Sequence, residues 1–316
     1  MRKFYEAGVM EWQFTGGEPT IVADLLESVR VAKDFGMTVT LNTNGCWSEK
    51  LGDKLIQLGV NYMIISVEGG EETNDRRRGP GSYKRVMRSL KQLACHNTTF
   101  PGQRIDVTIN MTVGRDNITD VQHVVRFAAF SGFNVNFVPL KVTGRALSGM
   151  LDTMLSTREY MAFVQQVQEI RAEHEIASAH VKIGVKHKDL YCGDYSDRSG
   201  LPCPLDNSEC QALTVAVGLL PDGRVFACPF LMDHSDFVGP SMLTCSVYEA
   251  WGHTALQRFR KAAKLDCLDC CFYKERCRGK CRASVLLDGG RICSGSLIGE
   301  DRYCFRHLLP TEGRSS

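Results

Sequence analysis

"GVMEWQFTGGEPTIVADLLESVRVAKDFGMTVTLNTNG", residues 8–45, decides the fold. It opens on a short β run (8–14) and passes through two glycines. Apolar residues then recur at helical spacing over 21–36, and the run stops on Gly36. A β-branched run follows over 37–45 and ends in a turn. A strand, a helix and a second strand in that order form the unit of a parallel sheet.

The same alternation continues outward. The spacing predicts helices over 49–59, 81–96, 118–132 and 156–174, and strands over 61–70, 104–113 and 133–140. The fold class is therefore α/β, an open parallel sheet or a barrel. Active sites in such folds sit at the C-terminal ends of the strands. After residue 190 the text changes to short strands, glycine turns and cysteines. Of the 14 cysteines only Cys46 and Cys95 precede that point. This shift predicts two domains, 1–185 and 186–316.

Composition narrows the function. Apolar residues make up 43% of the chain and the net charge is +2, so nothing in the bulk charge points to nucleic acid or a membrane surface. No apolar run is long enough to span a bilayer, and the N-terminus lacks the apolar core of a secretory signal. A reducing, cytoplasmic compartment is expected, where clustered cysteines serve as ligands or catalysts rather than disulfides.

The strand ends carry the candidate chemistry. In "FTGGEPT" (14–20), Gly16 and Gly17 leave the backbone open to a ligand, Glu18 adds a carboxylate and Pro19 can start the next helix. One reading is a clamp for a cationic amine, and the simpler one is a plain strand-to-helix turn. "NTNG" (42–45) ends the second strand. Ser66 and Glu68 sit at the tip of the third. Arg76, Arg77 and Arg78 form a basic cluster suited to a carboxylate or a peptide, or else a solvated charge run. Asn110 and Thr112 end the fourth.

Taken in order, "EWQFTGGEP", "LNTNG" and "ISVEGGEETNDRRRGPGSYKRVMRSL" resemble the radical S-adenosylmethionine enzymes over roughly residues 4–145. The resemblance implies a partial (β/α) barrel. It assigns Gly16, Gly17, Glu18 and Pro19 to the methionyl amine of S-adenosylmethionine. Ser66 and Asn110, with Arg78 as a further candidate, fall to its carboxylate and ribose. The chain departs from the family in one respect. The family's catalytic [4Fe–4S] cluster is held by a CxxxCxxC loop before GGEP, and here no cysteine precedes Cys46. The residues ahead of GGEP read as the end of a helix and the barrel's second strand. The expectation is a barrel truncated at the N-terminus, a fragment unable to start the reaction as it stands, with S-adenosylmethionine binding weak or lost. The competing expectation is a truncated protein that acts as a binding or electron-transfer partner.

In the second half, Cys210 and Cys228 flank a hairpin turned by "PDG" (221–223). "CLDCCFYKERCRGKC" (267–281) holds five more cysteines, and Cys293 and Cys304 follow. Spacing alone favours a zinc site, and all-thiolate sets suit zinc and iron–sulfur clusters alike. The order of cysteines behind a GGEP half resembles the SPASM domain, a small cysteine-rich α+β extension of peptide-modifying radical enzymes. That resemblance implies two auxiliary [4Fe–4S] clusters. One would be held by Cys203, Cys210, Cys228 and Cys281. The other would be held by Cys267, Cys277, one of Cys270 and Cys271, and a late cysteine, Cys304 in preference to Cys293. Cys192 and Cys245 are left as core thiols. The implied activity is modification of a peptide or small molecule by a 5′-deoxyadenosyl radical, supplied with electrons by a reductant protein. The alternative is a zinc-stapled peptide-binding or electron-transfer protein without that chemistry.

Overall fold

The computed structural model describes residues 1–141, 149–177, 181–185, 212, 216–261, 264–265, 281–287, 289, 291–293 and 296–298. The chain divides into two compact units. One comprises Met1–Leu140 and Gln165–Lys186, the other Lys141–Val164 and His187–Ser316.

The first unit is built on six strands: β1 (Glu11–Phe14), β2 (Thr38–Thr43), β3 (Tyr62–Ser66), β4 (Asp106–Val113), β5 (Asn134–Pro139) and β6 (Ile183–Val185). They lie side by side in chain order and every neighbouring pair is parallel. All strand C-termini therefore share one edge of the sheet. Six helices come with them: α1 (Arg2–Glu6), α2 (Leu25–Asp34), α3 (Glu49–Gln57), α4 (Glu71–Arg78), α5 (Ser82–Thr99) and α6 (Val121–Ser131); α7 (Thr157–Ala177) belongs to this unit from Gln165 on. The radical-enzyme resemblance implied this parallel α/β architecture, and the structure has it. Most boundaries fall within a few residues of those read from periodicity.

The two faces of the sheet differ. Val39, Leu41, Met63, Ile65, Val107, Ile109, Met111, Val135 and Phe137 are buried on one face. The helices supply matching stripes at i, i+3 and i+4: Val86, Leu90 and Leu93 from α5, and Val121, Val124, Val125 and Ala128 from α6. The other face carries Asn42, Ser66, Thr108, Asn110, Thr112, Asn134 and Asn136, all only half-buried. Parallel strands are usually apolar on both faces. A packed barrel fills its interior with branched apolar side chains. Here that face carries mostly hydroxyls and amides, interrupted by Ile64 and Val138.

α4 was missed by periodicity. "EETNDRRR" contains no apolar residue, so it gives no hydrophobic stripe to read. It is helical for two other reasons. Glu71 and Glu72 lie at its N-terminus and the three arginines at its C-terminus, each matched to the helix dipole. Its inward face is polar and satisfied: Asn74 Nδ2 donates to Ser82 Oγ at 3.0 Å, and Thr73 Oγ1 donates to Asp120 at 2.8 Å. β6 was also missed, because three residues show no alternation to count.

The second unit is α+β. β7 (Gly218–Leu219), β8 (Arg224–Phe226) and β9 (Val238–Ser241) form an antiparallel sheet. The turn at Pro221–Gly223 closes on a bond from Gly223 N to Leu220 O at 2.9 Å, as "PDG" predicts. α8 (Val247–Gly252) starts on a capping box between Ser246 and Glu249. α9 (Thr254–Lys261), β10 (Lys264–Leu265), α10 (Arg282–Leu287), β11 (Arg291–Cys293) and β12 (Ser296–Ile298) follow, with strand order β10-β12-β11. No described helix is long and apolar enough to cross a membrane.

The two faces predict different responses to substitution. Leu41→Ala on the helix-covered face should cost about 2–5 kcal/mol. Thr108→Val on the polar face should change stability by only about 0.5 kcal/mol. Urea unfolding followed by circular dichroism measures both.

Candidate functional site

The loops that leave β1, β2 and β3 meet at the C-terminal edge of the sheet. In the first loop Gly16 has φ 129°, a conformation that side-chain-bearing residues rarely adopt. A Cβ added at Gly16 or Gly17 would meet nothing within 4 Å. The backbone groups of this loop are therefore open to a ligand. Pro19 is buried and opens a single helical turn, Pro19–Ile21.

Glu18 ties the first loop to the second. Its Oε1 accepts from Thr20 N (3.0 Å), Thr20 Oγ1 (2.6 Å) and Thr43 Oγ1 (2.6 Å), and its Oε2 accepts from Asn44 N (2.7 Å). A carboxylate offers about four acceptor positions. Three donors crowd Oε1 and one reaches Oε2, so Glu18 binds the first loop to the second and Oε2 keeps one acceptor position.

The second loop is pinned in turn. Asn44 Oδ1 accepts from Cys46 N at 2.7 Å, and Thr43 Oγ1 accepts from Gly45 N at 3.1 Å. Gly45 has φ 72°, and a Cβ there would sit 2.7 Å from Val86 Cγ2 and 2.8 Å from Ile65 Cγ2. Helix α5 and strand β3 thus close on bare backbone.

The third tip is the most heavily braced. Glu68 is 3% exposed. Its Oε2 accepts from Thr112 N (3.0 Å) and Arg77 Nη1 (3.2 Å), and its Oε1 accepts from Arg78 Nε (2.9 Å) and Arg78 Nη2. Arg77 also forks onto Asp116, with Nε to Oδ2 at 2.8 Å and Nη2 to Oδ1, and donates to Thr112 O. Asn117 Nδ2 spans Glu68 O and Thr112 O at 2.9 Å each. Burial pushes the Asp116 carboxyl up, but the Arg77 fork outweighs it and holds the group below the usual aspartate range. Burial likewise works against the Arg77 charge, and its carboxylate partners override it. The arginine cluster therefore splits. Arg77 is internal, Arg76 reaches Asp116 O at 3.0 Å, and Arg78 is tied to Glu68 while keeping Nη1 without a partner among the described residues.

Ser66 and Asn110 are opposite each other in the β3–β4 register, and Asn110 and Asn136 in the β4–β5 register. Asn136 Nδ2 donates to Asn110 Oδ1 at 2.9 Å. This fixes the Asn110 amide orientation and leaves its NH2 unclaimed among the described residues. Asn136 was missed in the sequence, although "FNVNFVPL" places an asparagine on alternate positions of a predicted strand.

Of the cysteines assigned to clusters, Cys203, Cys210, Cys267, Cys270, Cys271, Cys277 and Cys304 lie outside the described residues. Cys228 is buried and directly precedes the Pro229–Leu231 turn, and Cys281 is half-buried directly before α10. Among the described residues no three His, Cys, Asp or Glu side chains group as a metal site.

Residues 1–128 match the Radical SAM superfamily model. The chain is 28% identical over 282 residues to the mycofactocin maturase MftC of Mycolicibacterium smegmatis, which covers 87% of this chain and 66% of that protein. It spans less than two thirds of the length of that relative. Its fold matches anSMEcpe with bound AdoMet (TM-score 0.70, 16% identity, 97% of this chain and 84% of that one). It also matches Streptococcus suis SuiB bound to its precursor peptide SuiA (TM-score 0.68, 13% identity, 90% and 64%). The parallel sheet and its loops share the fold of these solved structures.

Arg77→Met would strand Glu68 and Asp116 without their shared cation and should cost about 3–5 kcal/mol. The Asp116 pKa is lowered on folding, so its contribution is present above the unfolded value of about 3.9 and is lost as pH falls below it. Acid unfolding of Asp116→Asn should accordingly show a flatter limb below about pH 4 than the parent chain.

Proposed function

We propose that this radical SAM chain binds S-adenosylmethionine across the tips of β1 to β5 and belongs to an enzyme that modifies a peptide, with two auxiliary [4Fe–4S] clusters on its cysteine-rich half. The observation that carries the reading is the polar face of a parallel sheet ending at an open glycine loop. Ser66, Asn110 and Asn136 lie in register there, on the sheet edge that also carries the open glycine loop.

The residues fit the nucleotide-bearing ligand. The carbonyls around Gly16 and Gly17 would accept from its amine, with Glu18 and Pro19 setting the loop. Ser66, the free Asn110 NH2 and the spare Nη1 of Arg78 would serve its carboxylate and ribose. The buried Cys228 and the half-buried Cys281 suit soft metal ligation. They would be joined by Cys203 and Cys210 in one cluster. Cys267, Cys277, Cys304 and one of Cys270 and Cys271 would form the other. When bound, such clusters supply electron transfer or a contact for substrate. The family's catalytic cluster does not fit, since these 316 residues contain no CxxxCxxC. Cleavage of S-adenosylmethionine is therefore not assigned to them alone. The peptide substrate is favoured by the likeness to MftC and by SuiB, whose structure holds a precursor peptide. A reductant protein would complete the system.

Anaerobic reconstitution should load about eight iron atoms with matching sulfide. S-Adenosylmethionine binding by equilibrium dialysis should be weak, and Asn110→Ala should weaken it roughly 2- to 10-fold, the value of one hydrogen bond. Stoichiometric zinc without iron in protein purified without oxygen would replace this reading with a zinc-stapled binding module.

A further inference from the structure

Lys141 is 7% exposed, and its ammonium nitrogen is fully buried with no hydrogen-bond partner. Among the described residues it is the one buried side-chain nitrogen or oxygen left in this state. Its visible compensation is the ring of Phe230, whose centroid lies 4.9 Å from Nζ. A cation over an aromatic face returns about 0.5–2 kcal/mol. Burying an ammonium costs several kcal/mol. The contact does not balance the burial, and no carboxylate among the described residues pairs with Lys141.

The position of Phe230 indicates what does. It lies in the Pro229–Leu231 turn, which begins directly after Cys228. Cys228 is itself buried, and its carbonyl closes the turn by accepting from Leu231 N at 2.9 Å. The ring therefore places the ammonium beside the turn that directly follows Cys228. Lys141, Phe230 and Cys228 belong to the same compact unit.

We infer that Lys141 is the counter-charge of the iron–sulfur cluster held through Cys228, a positioning residue that sets the reduction potential of that cluster. The inference rests on the reading of Cys228 as a cluster ligand. A [4Fe–4S] cluster on thiolates is anionic and becomes more so when it takes up an electron. A fixed cation beside it favours the reduced form and raises the potential. Neutral replacement should lower the potential without removing a ligand.

The test uses the full chain, reconstituted anaerobically with iron and sulfide, in four forms: parent, Cys228→Ala, Lys141→Met and Lys141→Arg. Iron content is measured first, and dithionite redox titrations are followed by electron paramagnetic resonance. Cys228→Ala should lose about half the iron. Lys141→Met should keep its iron while one cluster becomes harder to reduce by about tenfold, 59 mV for one electron. Lys141→Arg should stay near the parent. Loss of that cluster in Lys141→Met overturns a role confined to setting its potential. Lys141→Gln carries the comparison should the methionine variant fail to fold. Unchanged potentials in a fully loaded Lys141→Met, or equal effects of methionine and arginine, overturn the role of the lysine while Cys228 stands as a ligand. Full iron in Cys228→Ala overturns the ligand reading, and the lysine proposal with it.

Discussion

A buried carboxylate at the tip of the third strand organises the edge of the sheet where the loops after β1, β2 and β3 meet. Glu68 gathers two arginines from α4 and a backbone amide from β4. Arg77 carries the connection on to Asp116. Replacing a network of this kind by apolar side chains is often neutral for stability. Its benefit here is geometric. It fixes where β3 ends, where α4 starts and how the loop after β4 returns, so that Ser66 and Asn110 face the same space.

The polar sheet face and the glycine loop share one edge because strand order is never broken. Six parallel strands in chain order put every C-terminus on one edge. Alternation then delivers polar residues to one face and apolar residues to the other, as the burial pattern of β4 shows residue by residue. The chemistry needs no special backbone at most positions. It needs the pleat to keep its register across β3, β4 and β5, and the Asn110–Asn136 bond helps hold it there.

Much of this was legible before the coordinates. Strands and helices with apolar stripes declared themselves through period 2 and period 3.6, and the glycine loop and "PDG" turn through backbone chemistry. What stayed hidden was stabilised by polar contacts distant in sequence. α4 has no stripe, and its partners Glu68, Asp116 and Asp120 lie on other elements. The bonds by which Glu18 ties two loops together join residues 25 and 26 apart, and its motif gives no sign of them. Nothing in the sequence marks Lys141, since a lone lysine after a strand reads as surface until its burial is known.

The close contact at Gly45 has an evolutionary consequence. Any side chain at this position would need room now filled by methyl groups of Val86 and Ile65, and would also have to accept a left-handed backbone. No single substitution at 45 is free of both costs. Descendants of this sequence can leave glycine only after positions 86 or 65 have first been trimmed, so the three sites should drift as a linked set, with the helix and strand positions changing before the loop.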